Sequence, residues 1–265
     1  MAEIVMGGLP FCSDNRPTRR RRPLEAIKHF RLLVQDKEST EHVFNIIDAL
    51  SGHHMRQLLR KSLETEEGRR AAELHQSLIP YLDDHEHLAT LPEGSLGRAY
   101  LSFMTREGLT AAGLEAEQRK FKPETYDDLI QWWTDRARDV HDLIHVLTGY
   151  SRGALGELSN LAWTYGMGRG GLGDIFIAVM GAIEMKRWFP REPLFRVLYE
   201  GWQNGRKAKL LYIQDIEELF QRPLTDVQAL LNIRPAPLYE ATSARIMAHE
   251  AADVPGVPYS PVANG

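Results

Sequence analysis

Four side chains near the middle of the chain have the types and spacing of a metal centre. They lie in Val140-His141-Asp142-Leu143-Ile144-His145, with Glu157 twelve residues beyond His145. On a helix, residues four apart share a face at about 6 Å, so His141 and His145 can grip one ion. The His-Glu-x-x-His zinc enzymes use this geometry, and Asp142 stands where they place Glu. Thr148-Gly149-Tyr150-Ser151-Arg152-Gly153 predicts a turn that reverses the chain. Glu157 then falls in the first turn of the next helix, from which it can fold back as a further ligand. Two neutral imidazoles and two carboxylates balance a divalent cation and suit Zn²⁺.

The same spacing also fits a solvated polar face that pairs two histidines by accident. With Tyr126–Thr148 read as one helix at 100° per residue, Leu129, Trp133, Ala137, Val140, Leu143, Ile144 and Leu147 form a stripe about 120° wide. Arg136 is the one charge inside it. His141 and His145 fall about 120° from its centre and Asp142 nearly opposite, which argues against core-filling histidines. Elsewhere, His53-His54 beside Gly52 are ligand types by composition, whereas His85 and His87 among Asp83, Asp84 and Glu86 read as an acidic surface loop.

The scaffold is expected to be helical. Ile27, Phe30 and Val34 step at helical intervals, and Ser39/Thr40 can cap a helix through Leu50. Further helices are expected at Met55–Leu63, Arg69–Leu82, Leu96–Met104, Ala154–Met167, Ile175–Trp188, Leu194–Asn204 and Ala208–Phe220. No long alternating strand competes, and no Gly/Asn hairpin turn is evident. The class is all-α, a single-domain helical bundle over residues 23–238, with a disordered basic arm at 1–22 and a disordered Ala/Pro/Val/Gly-rich tail at 239–265.

Composition narrows the functions. The 265 residues are 43% hydrophobic and 26% charged, which excludes a wholly disordered, collagen-like or coiled-coil chain. A net charge of −4 gives no basic footprint for nucleic acid, and Arg19 to Arg22 lack interleaved aromatics. Cys12 is the only cysteine, so an intrachain disulfide and a Cys-rich metal site are both excluded. The apolar stretch Leu172–Ile183 is shorter than the roughly 20 residues that span a bilayer. Near the N-terminus no apolar segment lies beside the arginines to make a secretory signal; Arg16 and Arg19 to Arg22 fit a mitochondrial transit segment or a disordered basic arm, and Glu3, Asp14, Pro10, Pro17 and Pro23 favour the arm.

The sequence resembles the coenzyme Q biosynthesis protein 4 family. That family's signature is His-Asp-x-x-His, eleven residues and Glu, which His141-Asp142-Leu143-Ile144-His145, Val146 to Gly156 and Glu157 match without a gap. Leu91-Pro92-Glu93-Gly94-Ser95-Leu96-Gly97-Arg98-Ala99-Tyr100 is similar to its Pro-x-Gly-Ser/Thr-Leu-Gly-x-x-Tyr segment, and Gly201-Trp202-x-x-Gly205, Pro223-Leu224 and Leu231-x-Ile233 also fit. The resemblance covers roughly 35–235. It implies that His141, Asp142, His145 and Glu157 bind zinc or another divalent cation. The implied activity is oxidative decarboxylation at ring carbon 1 of a 4-hydroxy-3-methoxy-5-polyprenylbenzoate in ubiquinone biosynthesis, replacing the carboxylate by a hydroxyl. His141, His145 and Glu157 would be inner ligands, with Asp142 a displaceable fourth ligand or a proton-handling neighbour. Zinc does not change oxidation state, so the new oxygen must come from dioxygen or water.

Implied partners are polyprenylated hydroxybenzoate or quinone intermediates, other quinone-biosynthesis proteins, and a membrane surface. A homodimer is compatible with the amount of apolar helix. The location is peripheral, on the cytoplasmic face of a bacterial inner membrane or the matrix side of a mitochondrial one. Ile175, Val179, Trp188, Phe189 and Trp202 are the expected lipid contacts, near the basic residues Lys186, Arg187, Arg206, Lys207 and Lys209. A buried core helix ending in a solvated turn would explain the same stretch. Two other functions stay open: a non-catalytic prenyl-lipid scaffold with a structural metal, and a His-x-x-x-His metallohydrolase.

Overall fold

The computed structural model describes residues 4–17, 20–36, 39–51, 54–168 and 171–251. A two-strand hairpin, β1 (Val5–Met6) and β2 (Leu9–Pro10), comes first. Then follow α1 (Pro23–Gln35), α2 (Thr40–Ser51), α3 (His54–Ser62), α4 (Glu66–Leu74), α5 (Ile79–Leu82), α6 (His85–Thr90), α7 (Leu96–Glu107) and α8 (Ala111–Phe121). The second half comprises α9 (Leu129–Asp139), α10 (His141–Thr148), α11 (Ala154–Gly166), α12 (Leu172–Met185), α13 (Leu194–Lys207), α14 (Ile216–Phe220), α15 (Leu224–Leu230) and α16 (Pro237–Ala251). The all-α class is as expected. Its packing is subdivided into two compact units: residues 1–21, 51–147 and 209–231 form the first, and 22–50, 148–208 and 232–265 the second.

In the first unit the described part of the chain start packs as a hairpin and the segment after it. Gly7 and Gly8 take positive φ of 55° and 85°, making the hairpin turn that the sequence reading did not find. Phe11 is buried, and Arg16 grips the fully buried Asp128 carboxylate through Nε at 2.6 Å and Nη2 at 2.9 Å. Asp128 also accepts from the Gln131 amide at 2.7 Å, capping α9. Arg19 lies outside the described residues.

The Pro92–Ser95 turn is pinned by the Leu96 amide donating to the Arg222 carbonyl and the Leu224 amide donating to the Gly94 carbonyl, both at 2.9 Å. α7 is thereby fixed beside α14, where the Tyr100 and Phe220 rings meet at 5.3 Å. The helix expected across Arg69–Leu82 is two, because His75 at φ 31° ends α4 in the left-handed region. Ala208–Phe220 is likewise not one helix. Ala208 is extended (ψ 146°), Leu211–Ile213 is a 3-10 turn, and α14 starts only at Ile216, where the Asp215 side chain caps it. His85 and His87 lie on the short helix α6 rather than in a loop, while His53 lies outside the described residues.

The second unit is built on α11. Gly205 of α13 sits where an added Cβ would come within 1.9 Å of the Trp163 carbonyl oxygen, and Gly166 of α11 where one would come within 2.1 Å of the Trp202 carbonyl oxygen. These reciprocal contacts press the two helix backbones together, with Trp163 and Leu198 buried. α12 packs across α2 at Gly173, whose added Cβ would meet the Ile47 Cα at 2.6 Å. The unit closes with α16. Residues 239–251, expected within a disordered tail, are helical because Glu200 accepts from the Leu238 and Tyr239 amides at 3.2 and 3.0 Å, and because Tyr239 is buried. Residues 252–265 lie outside the described residues.

Candidate metal centre

α9 and α10 meet at Val140, not within one continuous helix as the periodicity suggested. Val140 has φ −89° and ψ 4°; its amide donates to the Arg136 carbonyl, and its own carbonyl accepts from Ile144. This joint starts a new helix at His141 and resets its facing. His145 is therefore only 1% exposed and Asp142 is buried, whereas the continuous wheel put both away from the core. His141 stays half-buried.

Two rings pack on His145. The Phe103 ring of α7 stacks on it at 5.9 Å and 14°, and His141 meets it edge-on at 5.1 Å and 75°. The Arg106 guanidinium lies over the other partner's ring, Phe103, at 5.4 Å. One helical turn earlier on each element, the buried Asp142 charge acts on the buried Tyr100 phenol. Burial is the larger influence there, and together with Asp142 it pushes the Tyr100 hydroxyl far above its ordinary pKa.

Glu157 is set by the turn after α10. Gly149 supplies a positive φ of 74°, and Gly156 lies so close to the Ser151 carbonyl oxygen that an added Cβ would stand at 1.8 Å. Tyr239 clamps this turn: its hydroxyl accepts from the Ser151 amide at 2.8 Å and donates to the Ser151 hydroxyl at 3.0 Å. Glu157 lies in the first turn of α11, half-buried, with Arg152 Nε 3.9 Å from its carboxylate.

His141, His145 and Glu157 form a group that could hold a metal ion, each offering one ligand atom, all within 4.8 Å of one another. Two imidazoles and one carboxylate are donors suited to a divalent metal ion. Asp142, expected as a fourth ligand, is not in this group.

The family described as coenzyme Q (ubiquinone) biosynthesis protein Coq4 matches residues 24–237. The chain belongs to the Coq4 family. Among curated relatives, the rat mitochondrial ubiquinone biosynthesis protein COQ4 homolog is 27% identical over 193 residues, 72% of this chain and 71% of its own. The human mitochondrial homolog is 25% identical over 195 residues, covering 73% and 71%. The Neurospora crassa mitochondrial protein is 28% identical over 199 residues, covering 74% and 51%. A crystal structure of a protein assigned to ubiquinone biosynthesis from Nostoc punctiforme PCC 73102 shares the fold at a TM-score of 0.57 and 18% identity, covering 81% of this chain and 100% of that one.

The expected lipid contacts divide. In the second unit, Val179 and Trp188 are exposed, as are Leu172 and Ile183 on the same face of α12 as Val179, while Ile175 and Trp202 are half-buried. Phe189 is a correction: it is 7% exposed, its ring meeting His249 of α16 at 5.6 Å, so it is a core residue. The adjacent basic pair is also engaged locally, Lys186 donating to the Pro190 carbonyl at 2.9 Å and Arg187 pairing with Glu184 at 3.1 Å. Arg206 lies over the Trp202 ring at 4.8 Å. Among the described residues no helix is long and apolar enough to cross a membrane.

Proposed function

We propose that this Coq4-family chain catalyses metal-dependent oxidative decarboxylation at ring carbon 1 of a 4-hydroxy-3-methoxy-5-polyprenylbenzoate. The observation that carries this reading is the group of two imidazoles and one carboxylate, His141, His145 and Glu157, in a chain of this family. These three residues would hold zinc or another divalent cation. When bound, such an ion supplies a Lewis acid that polarises the carboxylate or phenolate oxygens of the ring.

The chain's own residues do the rest. Phe103 and its stacking fix the plane of His145, and the Ser151–Tyr239 clamp fixes the turn that carries Glu157. Asp142, buried on the adjacent rung, takes the proton of the ring hydroxyl para to the carboxylate. Electron density then moves onto the carbon bearing the carboxylate, CO₂ leaves, and a hydroxyl takes its place; dioxygen or another external oxidant accepts the two electrons. In this reading the polyprenyl tail lies along the apolar face of α12 around Leu172, Val179 and Ile183, which also faces the membrane surface.

The test is product formation from short- and long-tailed substrates in the presence of phospholipid vesicles. His141→Ala is expected to lose the hydroxylated product from both. Val179→Glu is expected to keep the short-tailed reaction and lose most of the long-tailed one. Full turnover by His141→Ala would reject the metal-dependent reading. No turnover by the native chain, with tight binding of prenylated intermediates, would leave the scaffold role.

A further inference from the structure

The Tyr100 side chain is fully buried, and its hydroxyl has no hydrogen-bonding partner among the described residues. Buried hydroxyls are ordinarily paired, because removal from water without a partner is costly. Packing alone does not explain this one. The Tyr100 ring packs on Phe220, and a phenylalanine would fill that place without burying an oxygen.

Its location gives the hydroxyl a use. Tyr100 lies one turn before Phe103 on α7, and Asp142 lies one turn before His145 on α10. The Phe103 ring stacks on His145, and the Asp142 charge acts on Tyr100. Tyr100 and Asp142 thus form the rung beside the one that holds a candidate metal ligand. Burial first, and then the charges of Asp142, Asp83 and Asp139, disfavour ionisation of the phenol, so it stays a hydrogen-bond donor.

We infer that Tyr100 is a substrate-binding residue whose hydroxyl donates a hydrogen bond to the ring oxygen of a bound hydroxybenzoate. A neutral phenol is suited to this task, since it favours negative charge developing on the acceptor. This inference rests on the proposed function, and it adds a contact that the metal ligands do not supply.

The test compares native chain and Tyr100→Phe in equilibrium binding of a short-prenyl 4-hydroxy-3-methoxybenzoate and of its analogue lacking the 4-hydroxyl. Thermal unfolding and zinc content are measured in parallel. The native chain should bind the hydroxy compound about tenfold tighter than the analogue, as one buried hydrogen bond requires. Tyr100→Phe should lose most of that preference, about the tenfold that one hydrogen bond supplies, with unchanged zinc and a melting temperature equal to or above the native one. A Tyr100→Phe chain that keeps the preference, or that melts lower with binding unchanged, overturns the inference in favour of a structural phenol. Absence of any preference in the native chain also overturns it. If that chain still forms product in the assay above, the functional reading survives; if it forms none, both fall.

Discussion

Arg136 is the one charge inside an otherwise apolar stripe, and its partners explain its presence. Its Nε donates to the Tyr212 carbonyl at 2.5 Å and its Nη2 to the Gln214 carbonyl at 2.6 Å, tying α9 to the 3-10 turn. Burial lowers its pKa to about 10, so the guanidinium remains charged at neutral pH. Arg136→Leu removes a charged donor from both carbonyls and should cost about 2–4 kcal/mol, read by urea unfolding. A cost below about 0.5 kcal/mol, the usual range for surface changes, would mean those carbonyls find other donors. The sequence marked Arg136 as anomalous without indicating its partners, which lie 76 and 78 residues away. His141, His145 and Glu157 were legible because their spacing is local. The facing of His145 and Asp142 was not, since the wheel carried one phase across the joint at Val140. Tyr239 was missed altogether: only the folded turn shows its hydroxyl on Ser151.

At the scale of elements, the contact between α11 and α13 supports the helix that carries Glu157. Gly205→Ala places a Cβ 1.9 Å from the Trp163 carbonyl oxygen, a backbone atom with little freedom to move. The helices must separate, at a cost of about 1–3 kcal/mol or more. That corresponds to a fall in melting temperature of roughly 2–12 °C for a chain of this size. An unchanged melting temperature would show that α11 and α13 do not pack this closely. The Gly201-Trp202-x-x-Gly205 pattern, weak by itself as a string, thus acquires a physical reason at Gly205. Helices with strong periodicity, such as α11, α12 and α13, were placed within a few residues. The segments that failed are those where contacts outside the segment decide. Ala208–Phe220 has helical composition but is broken where Leu210, Leu211 and Tyr212 bury themselves, and α16 depends on a cap supplied by Glu200 from another helix.

Over the whole molecule, all-α class follows directly from the periodicity, but the two compact units do not. Each unit gathers three separate segments, with boundaries at 21/22, 50/51, 147/148, 208/209 and 231/232. No linker composition marks these crossings, because the chain passes through them within ordinary turns and helix ends. Family membership extends across this organisation, residues 24–237, and so includes both histidines and the glutamate. In the proposed function these three residues hold one metal ion. Plasma mass spectrometry of the purified chain beside His145→Ala, with circular dichroism to confirm that both are folded, tests it most directly. About one zinc per chain in the native protein, lost from the folded variant, is the predicted result for a three-ligand site. A native chain that takes up no divalent metal even after zinc is added, or a His145→Ala chain that keeps its full content, would contradict it.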